Sequence, residues 1–152
     1  MKRARAWRWP LTIAAVVIVV DQLTKHWALN ALENGRIVDV VGSLRLNLAF
    51  NRGMAFSQGD GIGPLIPVIA ITVVAALLMA VGRSSSRWFT LGVGLIIGGS
   101  LSNVGDRLFR NEGRLRGAVV DFIDLQWWPV FNVADVGIVV GAGLLLITTL
   151  RS

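Results

Sequence analysis

A chain of 152 residues in which 54% are apolar and only 16% are charged, against roughly 25% charged in ordinary soluble domains, has more apolar side chains than one water-soluble core can enclose. With no cysteine and a single histidine, His26, the chain lacks the groups for thiol nucleophiles, disulfides and cysteine or paired-histidine metal sites, and no HExxH, Walker lysine loop or GxSxG elbow appears in their place. The formal net charge of +6 lies beside long uncharged runs and comes with no RNA-binding signature, so it points to anionic lipid headgroups and not to nucleic acid.

Met1 to Arg8 holds four basic residues and no acid, and Pro10 to Val20 is wholly uncharged. Such a start resembles a secretory signal peptide, but Asp21 and Lys25 follow without a small-residue cleavage site and apolar character resumes to about Leu32. A retained first span over about 11–30 is therefore expected. Residues 36–41 and 44–50 read as two strands, because Leu44, Leu46, Leu48 and Phe50 alternate and Gly42-Ser43 supplies a turn. Too polar to cross a bilayer, this hairpin is expected to lie at the membrane surface.

The second span is expected over Pro64 to Val81, which carries no charge. A third follows at about 88–104, where Gly92, Gly94, Gly98 and Gly99 would let helices approach closely in lipid. From about Leu108 to Phe131 the chain is again polar, with a short strand candidate at Ala118 to Ile123 and the pair Trp127-Trp128, suited to the headgroup region. The fourth span is expected over about 132–150. These elements predict a single membrane domain, 1–152: an all-α bundle of four transmembrane helices with a small extracytoplasmic β-hairpin or sheet. The N-terminal segment, the Arg83 to Arg87 loop and Arg151 concentrate basic residues without acids, whereas the opposite side spreads an equal number over longer, mixed loops. Charge density thus predicts both termini in the cytoplasm.

In that topology every unusual polar residue falls on one face. Asp21 lies about 17 Å past Pro10 and Asn103 about 22 Å past Trp88, at about 1.5 Å per helical residue. Both reach the distal half of a core roughly 30 Å thick, and Asp135 reaches a similar depth from the other chain direction. Carboxylates at that depth need a partner, the bundle interior or water, which makes their clustering a functional signal. Taken singly, the residues leave plainer readings open. Asn132 and Asp135 have the spacing of a helix cap. Asp106 and Arg107 read equally as a surface ion pair, and Asp21 and Lys25 as a self-neutralising i,i+4 pair. Asp121 and Asp124 read as solvated loop acids, with nothing to choose between them.

The blocks DQLTK (Asp21 to Lys25), NRGMAF (Asn51 to Phe56), GGSLSNVGDR (Gly98 to Arg107), VVDFID (Val119 to Asp124) and FNVAD (Phe131 to Asp135), in this order, resemble signal peptidase II, the lipoprotein signal peptidase family. The resemblance covers essentially the whole chain. It implies an intramembrane aspartic endopeptidase of the bacterial plasma membrane, without cofactor or metal, that removes signal peptides from diacylglyceryl-modified prolipoproteins just before the lipidated cysteine and is blocked by globomycin. It also implies Asp121 and Asp135 as the catalytic pair, with Asp21, Lys25, Asn51, Ala55, Phe56, Asn103, Arg107 and Asn132 supporting the site or its substrate. Two departures stand out: Ser102 replaces the glycine usual before the third-span asparagine, and the Leu125 to Val130 link is short beside many relatives. The chemistry agrees, since two close carboxylates sharing a proton supply both base and acid for peptide hydrolysis. A proton-coupled transporter would instead want acids through the full depth of the bilayer, and a noncatalytic scaffold gives no reason for charge on one face only.

Overall fold

A computed structural model describes residues 2–53, 65–81, 86–110 and 117–151, with side chains from Trp7 onward. In chain order these form α1 (Lys2–Ala31), a 3-10 turn (Glu33–Gly35), β1 (Ile37–Val41), β2 (Leu44–Asn51), α2 (Leu65–Ala80), α3 (Arg87–Phe109), β3 (Val119–Asp124) and α4 (Val133–Leu150). Trp7–Ala31, Arg87–Phe109 and Val133–Leu150 are each long and apolar enough to cross a membrane. Helix α2, equally apolar, has 16 residues, and the expected start of its span at Pro64 lies outside the described residues. The chain is thus a multi-pass membrane protein, mostly helical, with one small sheet.

Helices α1 and α4 turn most of their apolar side chains outward. Val16, Val19 and Leu23 on α1 and Val139, Leu146 and Leu150 on α4 are exposed, while Asp21, Lys25, Asp106 and Asn132 are buried. That inversion suits a hydrocarbon surround, where burying Leu against Leu brings nothing that lipid does not already supply. The helices meet through one apolar cluster, Ala14, Val74, Val93 and Ile97, and through close backbone approach. Helix α3 is the hub, packing on α4, α1 and α2. A Cβ on Gly141 would stand 2.7 Å from the Gly92 carbonyl oxygen, and one on Gly92 would stand 2.9 Å from that of Gly141, so α3 and α4 meet where neither has a side chain.

Helix limits differ from expectation in two places. Helix α1 starts at Lys2, well before the span expected from 11, because straight-chain basic residues and alanine are good helix formers. Helix α3 continues past the expected end at 104 to Phe109, which keeps Asp106, Arg107 and Arg110 on or at the end of one helix.

The hairpin forms as the alternation predicts: β1 pairs antiparallel with β2, and Gly42 takes the positive φ of 57° that the turn requires. Less expected is that β3 joins the free side of β2, giving a three-stranded antiparallel sheet in the order β1-β2-β3. Phe122 of β3, with Leu46 and Leu48 of β2, packs on Ala28 and Leu32 at the end of α1, and Trp27 meets Phe122 edge-on at 6.4 Å. The sheet is thereby seated on the end of the bundle where the polar residues gather.

Candidate active site

Helix α4 begins with a capping box. The Asn132 side chain accepts from the Asp135 backbone N–H at 2.9 Å, and the Asp135 carboxylate accepts from the Asn132 N–H at 3.2 Å. Capping is therefore one role of this pair but not its sole role. Asn132 Nδ2 also donates to Asp121 Oδ1 at 2.7 Å, so a single asparagine ties the two carboxylates together. The other oxygen of Asp135 accepts from Asn103 Nδ2 at 2.8 Å.

Asp121 reaches this point from β3. The register sets Ala49 opposite Asp121 and Arg45 opposite Asp124, and since successive side chains alternate across a strand, the two acids point to opposite faces. Asp121 is 1% exposed and lies on the wall of a cavity of about 730 Å³, with Asn51, Arg52, Ser100, Asn103, Arg107 and Asp135 as its other polar residues and Pro67, Ile66, Val119, Pro129, Val130 and Ile138 among its apolar ones. Burial pushes the Asp121 carboxyl up to about 6; the nearby Asp135 charge adds to the rise, and the amides of Asn51 and Asn132 and the charge of Lys25 oppose it. A carboxyl poised there exchanges protons near neutrality, as a general acid or base must.

Behind the cavity wall lies a second polar cluster. Lys25 Nζ contacts Asp21 Oδ2 at 2.7 Å, Asp106 Oδ2 at 2.8 Å and Asn103 Oδ1 at 2.8 Å, and Lys25 is fully buried. The self-neutralising reading of Asp21 and Lys25 is thus only part of their role. Asp21 also accepts from the Ala134 N–H at 2.8 Å and from Ser102 Oγ at 2.7 Å. Asp106 is not a surface partner of Arg107. It is 1% exposed and accepts from Lys25, from Arg110 Nε at 2.7 Å and from Gln22 Nε2 at 3.0 Å. Gln22, Ser102 and Arg110 were not among the expected site residues; the i,i+4 spacing of Asp106 and Arg110 was the signal available for one of them.

Neither Asp121 nor Asp124 is a solvated loop acid. Asp124, on the other face of β3, accepts from Arg45 Nε at 2.7 Å and from the Gln126 N–H at 2.7 Å, and the Arg45 guanidinium holds its carboxyl below the usual carboxylate range. The short link that follows is closed at its stem, where Phe131 and Ile123 exchange backbone hydrogen bonds of 2.9 and 3.0 Å; Trp127 and Trp128 at its tip are exposed. His26 is exposed and lies against Asn30. Ala55 and Phe56 lie outside the described residues. Among the described residues no three His, Asp or Glu side chains are grouped to hold a metal ion.

Residues 13–151 match the family model described as signal peptidase (SPase) II. The lipoprotein signal peptidase of Rhodococcus jostii (strain RHA1) is 47% identical over 140 residues, covering 91% of this chain and 70% of the relative. That of Mycobacterium leprae (strain Br4923) is 43% identical over 147 residues, covering 96% and 73%. A bacterial membrane enzyme solved by the in meso method at 1.9 Å resolution superposes with a TM-score of 0.80 at 27% identity, covering 94% of this chain and 93% of that one.

Proposed function

The chain belongs to the signal peptidase II family, proteases that remove signal peptides from prolipoproteins, and we propose that Asp121 and Asp135 perform the cleavage as an aspartic dyad. The observation that carries this reading is that both carboxylates stand on the wall of one cavity and are joined through Asn132. Close carboxylates cannot both ionise cheaply in a poorly solvated site, so one proton is shared. The ionised member takes a proton from water as its oxygen attacks the peptide carbonyl carbon. The protonated member hydrogen-bonds the carbonyl oxygen as negative charge develops there, and the proton taken from water then passes to the departing amine as the C–N bond breaks. On the wall, Asn51 and Asn103 are placed to hold the substrate backbone and Arg107 to stabilise developing negative charge. Ala55 and Phe56 belong to the same site by family resemblance.

The same reading makes 1–152 one membrane domain with four spans, α2 among them, both termini in the cytoplasm and the sheet lying at the outer surface of a bacterial plasma membrane. The substrate is a diacylglyceryl-modified prolipoprotein cut just before its lipidated cysteine. A helical signal segment hides its scissile amide in internal hydrogen bonds and must unwind beside a polar pocket to be attacked. The lipid holds that bond at membrane depth, each buried methylene adding roughly 0.8 kcal/mol of anchoring.

One assay tests the whole reading. Purified protein in detergent is expected to cut a lipidated precursor, to leave the unlipidated one largely intact and to be blocked by globomycin. Asp121→Asn and Asp135→Asn are expected to cut neither precursor while remaining folded, and Asp124→Asn to retain activity. An active Asp121→Asn beside a dead Asp124→Asn would reject the dyad, and equal cleavage of both precursors would reject the role of the lipid.

A further inference from the structure

We propose that Lys25 is a positioning residue for this reaction, setting the carboxamide of Asn103 so that its N–H group holds Asp135. Lys25 is fully buried and is not part of the cavity wall, whereas Asn103 and Asp135 both are; apart from the charge it sets near Asp121, it reaches the chemistry through the groups it touches. An ammonium has three donors and no acceptor. All three are in use, on Asp21 of its own helix and on Asp106 and Asn103 of α3.

The two ends of an asparagine carboxamide are nearly equal in shape, so neighbouring donors and acceptors decide which way it faces. Asn103 Oδ1 meets Lys25 Nζ at 2.8 Å and Asn132 Nδ2 at 3.1 Å. Facing two donors, the oxygen must turn to that side. Nδ2 is then left to donate to Asp135 Oδ1 at 2.8 Å. A flipped amide would set N–H against the ammonium and oxygen against the carboxylate, two repulsions in a poorly solvated place.

Lys25 is itself held from several sides. Asp21 is fixed by Ser102 and by the Ala134 N–H at the start of α4, and Asp106 by Gln22 and Arg110. The Asp21–Lys25 pair on α1 thus supports Asp135 twice, the carboxylate gripping the backbone of α4 beside it and the ammonium orienting the asparagine that binds its side chain.

This inference rests on the dyad reading, and a double-mutant cycle separates the two. Lys25→Met, Asn103→Ser and the double variant are compared with the parent on the lipidated precursor, under single-turnover conditions so that slow variants are still read. Lys25→Met is expected to lower the cleavage rate roughly 100-fold, the scale set by misplacing a catalytic group by about 1 Å, with little change in KM. The double variant should be no slower than the slower single one, because both substitutions remove the same constraint. Additive losses, or an unimpaired Lys25→Met, overturn the proposal. Should Lys25→Met fail to insert because Asp21 is left unpaired, Asp21→Asn/Lys25→Met takes its place in the cycle with the same two readings. A failure of the dyad itself looks different: Asp135→Asn would then retain turnover, whereas failure of the positioning role leaves Asp135→Asn dead and the cycle additive.

Discussion

At Asp121 the fold works against ionisation, which bears on chemistry and on stability. Its carboxyl is pushed up to about 6, by burial first and by the Asp135 charge second. For the reaction, a shared-proton pair works while it keeps one proton, and because the rise at Asp121 includes the charge of an ionised Asp135, kcat/KM is expected to fall as pH rises through about 6. For stability, the folded chain binds more protons than the unfolded one between the ordinary 3.8 and about 6, so stability falls as pH rises through that window. The deficit above it is roughly 3 kcal/mol, at about 1.36 kcal/mol per unit. Asp121→Asn removes this titration, and in detergent it should melt above the parent at pH 7, with the gap closing towards pH 4; parallel pH curves for the two proteins would refute this. At this scale the sequence was only partly legible. VVDFID carries apolar residues on both strand faces, so periodicity could not separate Asp121 from Asp124, and only pairing with β2 shows which face meets the cavity. A surface ion pair of Asp106 with Arg107 stays open in the sequence, although adjacent residues on a helix point to different sides and the helical partner, Arg110, stands one turn on.

Among the elements, the helices and the hairpin were readable because their signals are local: uncharged runs, period-two alternation and a glycine turn. The pairing of β3 with β2 was not, since it joins segments as far apart as Arg45 and Asp124, separated by 79 positions, and strand propensity says nothing about the partner. The glycines of the third span pointed correctly to close packing, since a Cβ on Gly92, Gly94, Gly98 or Gly99 would come within 3.0 Å of a neighbour. Those of α4 differ among themselves, and the difference is testable. A Cβ at Gly141 would stand 2.7 Å from the Gly92 carbonyl oxygen, whereas at Gly143 it would meet nothing within 4 Å. Gly141→Ala is expected to destabilise the purified protein by about 1–3 kcal/mol, the range for overpacking, while Gly143→Ala is neutral or mildly stabilising. Equal thermal midpoints for the two variants would mean that α3 and α4 are not held by this contact.

For the molecule as a whole, the gathering of polar groups at one end of the bundle followed from connectivity alone, because alternate loops of a multi-span chain must share a side. Which side faces outward rests on the density of basic residues. The chain has no cysteine of its own, so single introduced thiols report cleanly. Gly61→Cys should react with an impermeant reagent added to intact cells, and Ser85→Cys should react only after the membrane is opened. Labelling of Ser85→Cys from outside would invert the topology and put the dyad on the wrong side for exported substrates.

The closed stem between Ile123 and Phe131 has a further consequence. The chain leaves β3 and returns to α4 through a hydrogen-bonded gate, so the segment between them is mechanically insulated from the two carboxylates it connects. Loop-closure entropy grows only slowly with length, by about 0.6 kcal/mol for each doubling. The tip around Trp127 and Trp128 can therefore change length cheaply, while the stem keeps Pro129 and Val130 on the cavity wall and holds the spacing of Asp121 and Asp135 constant.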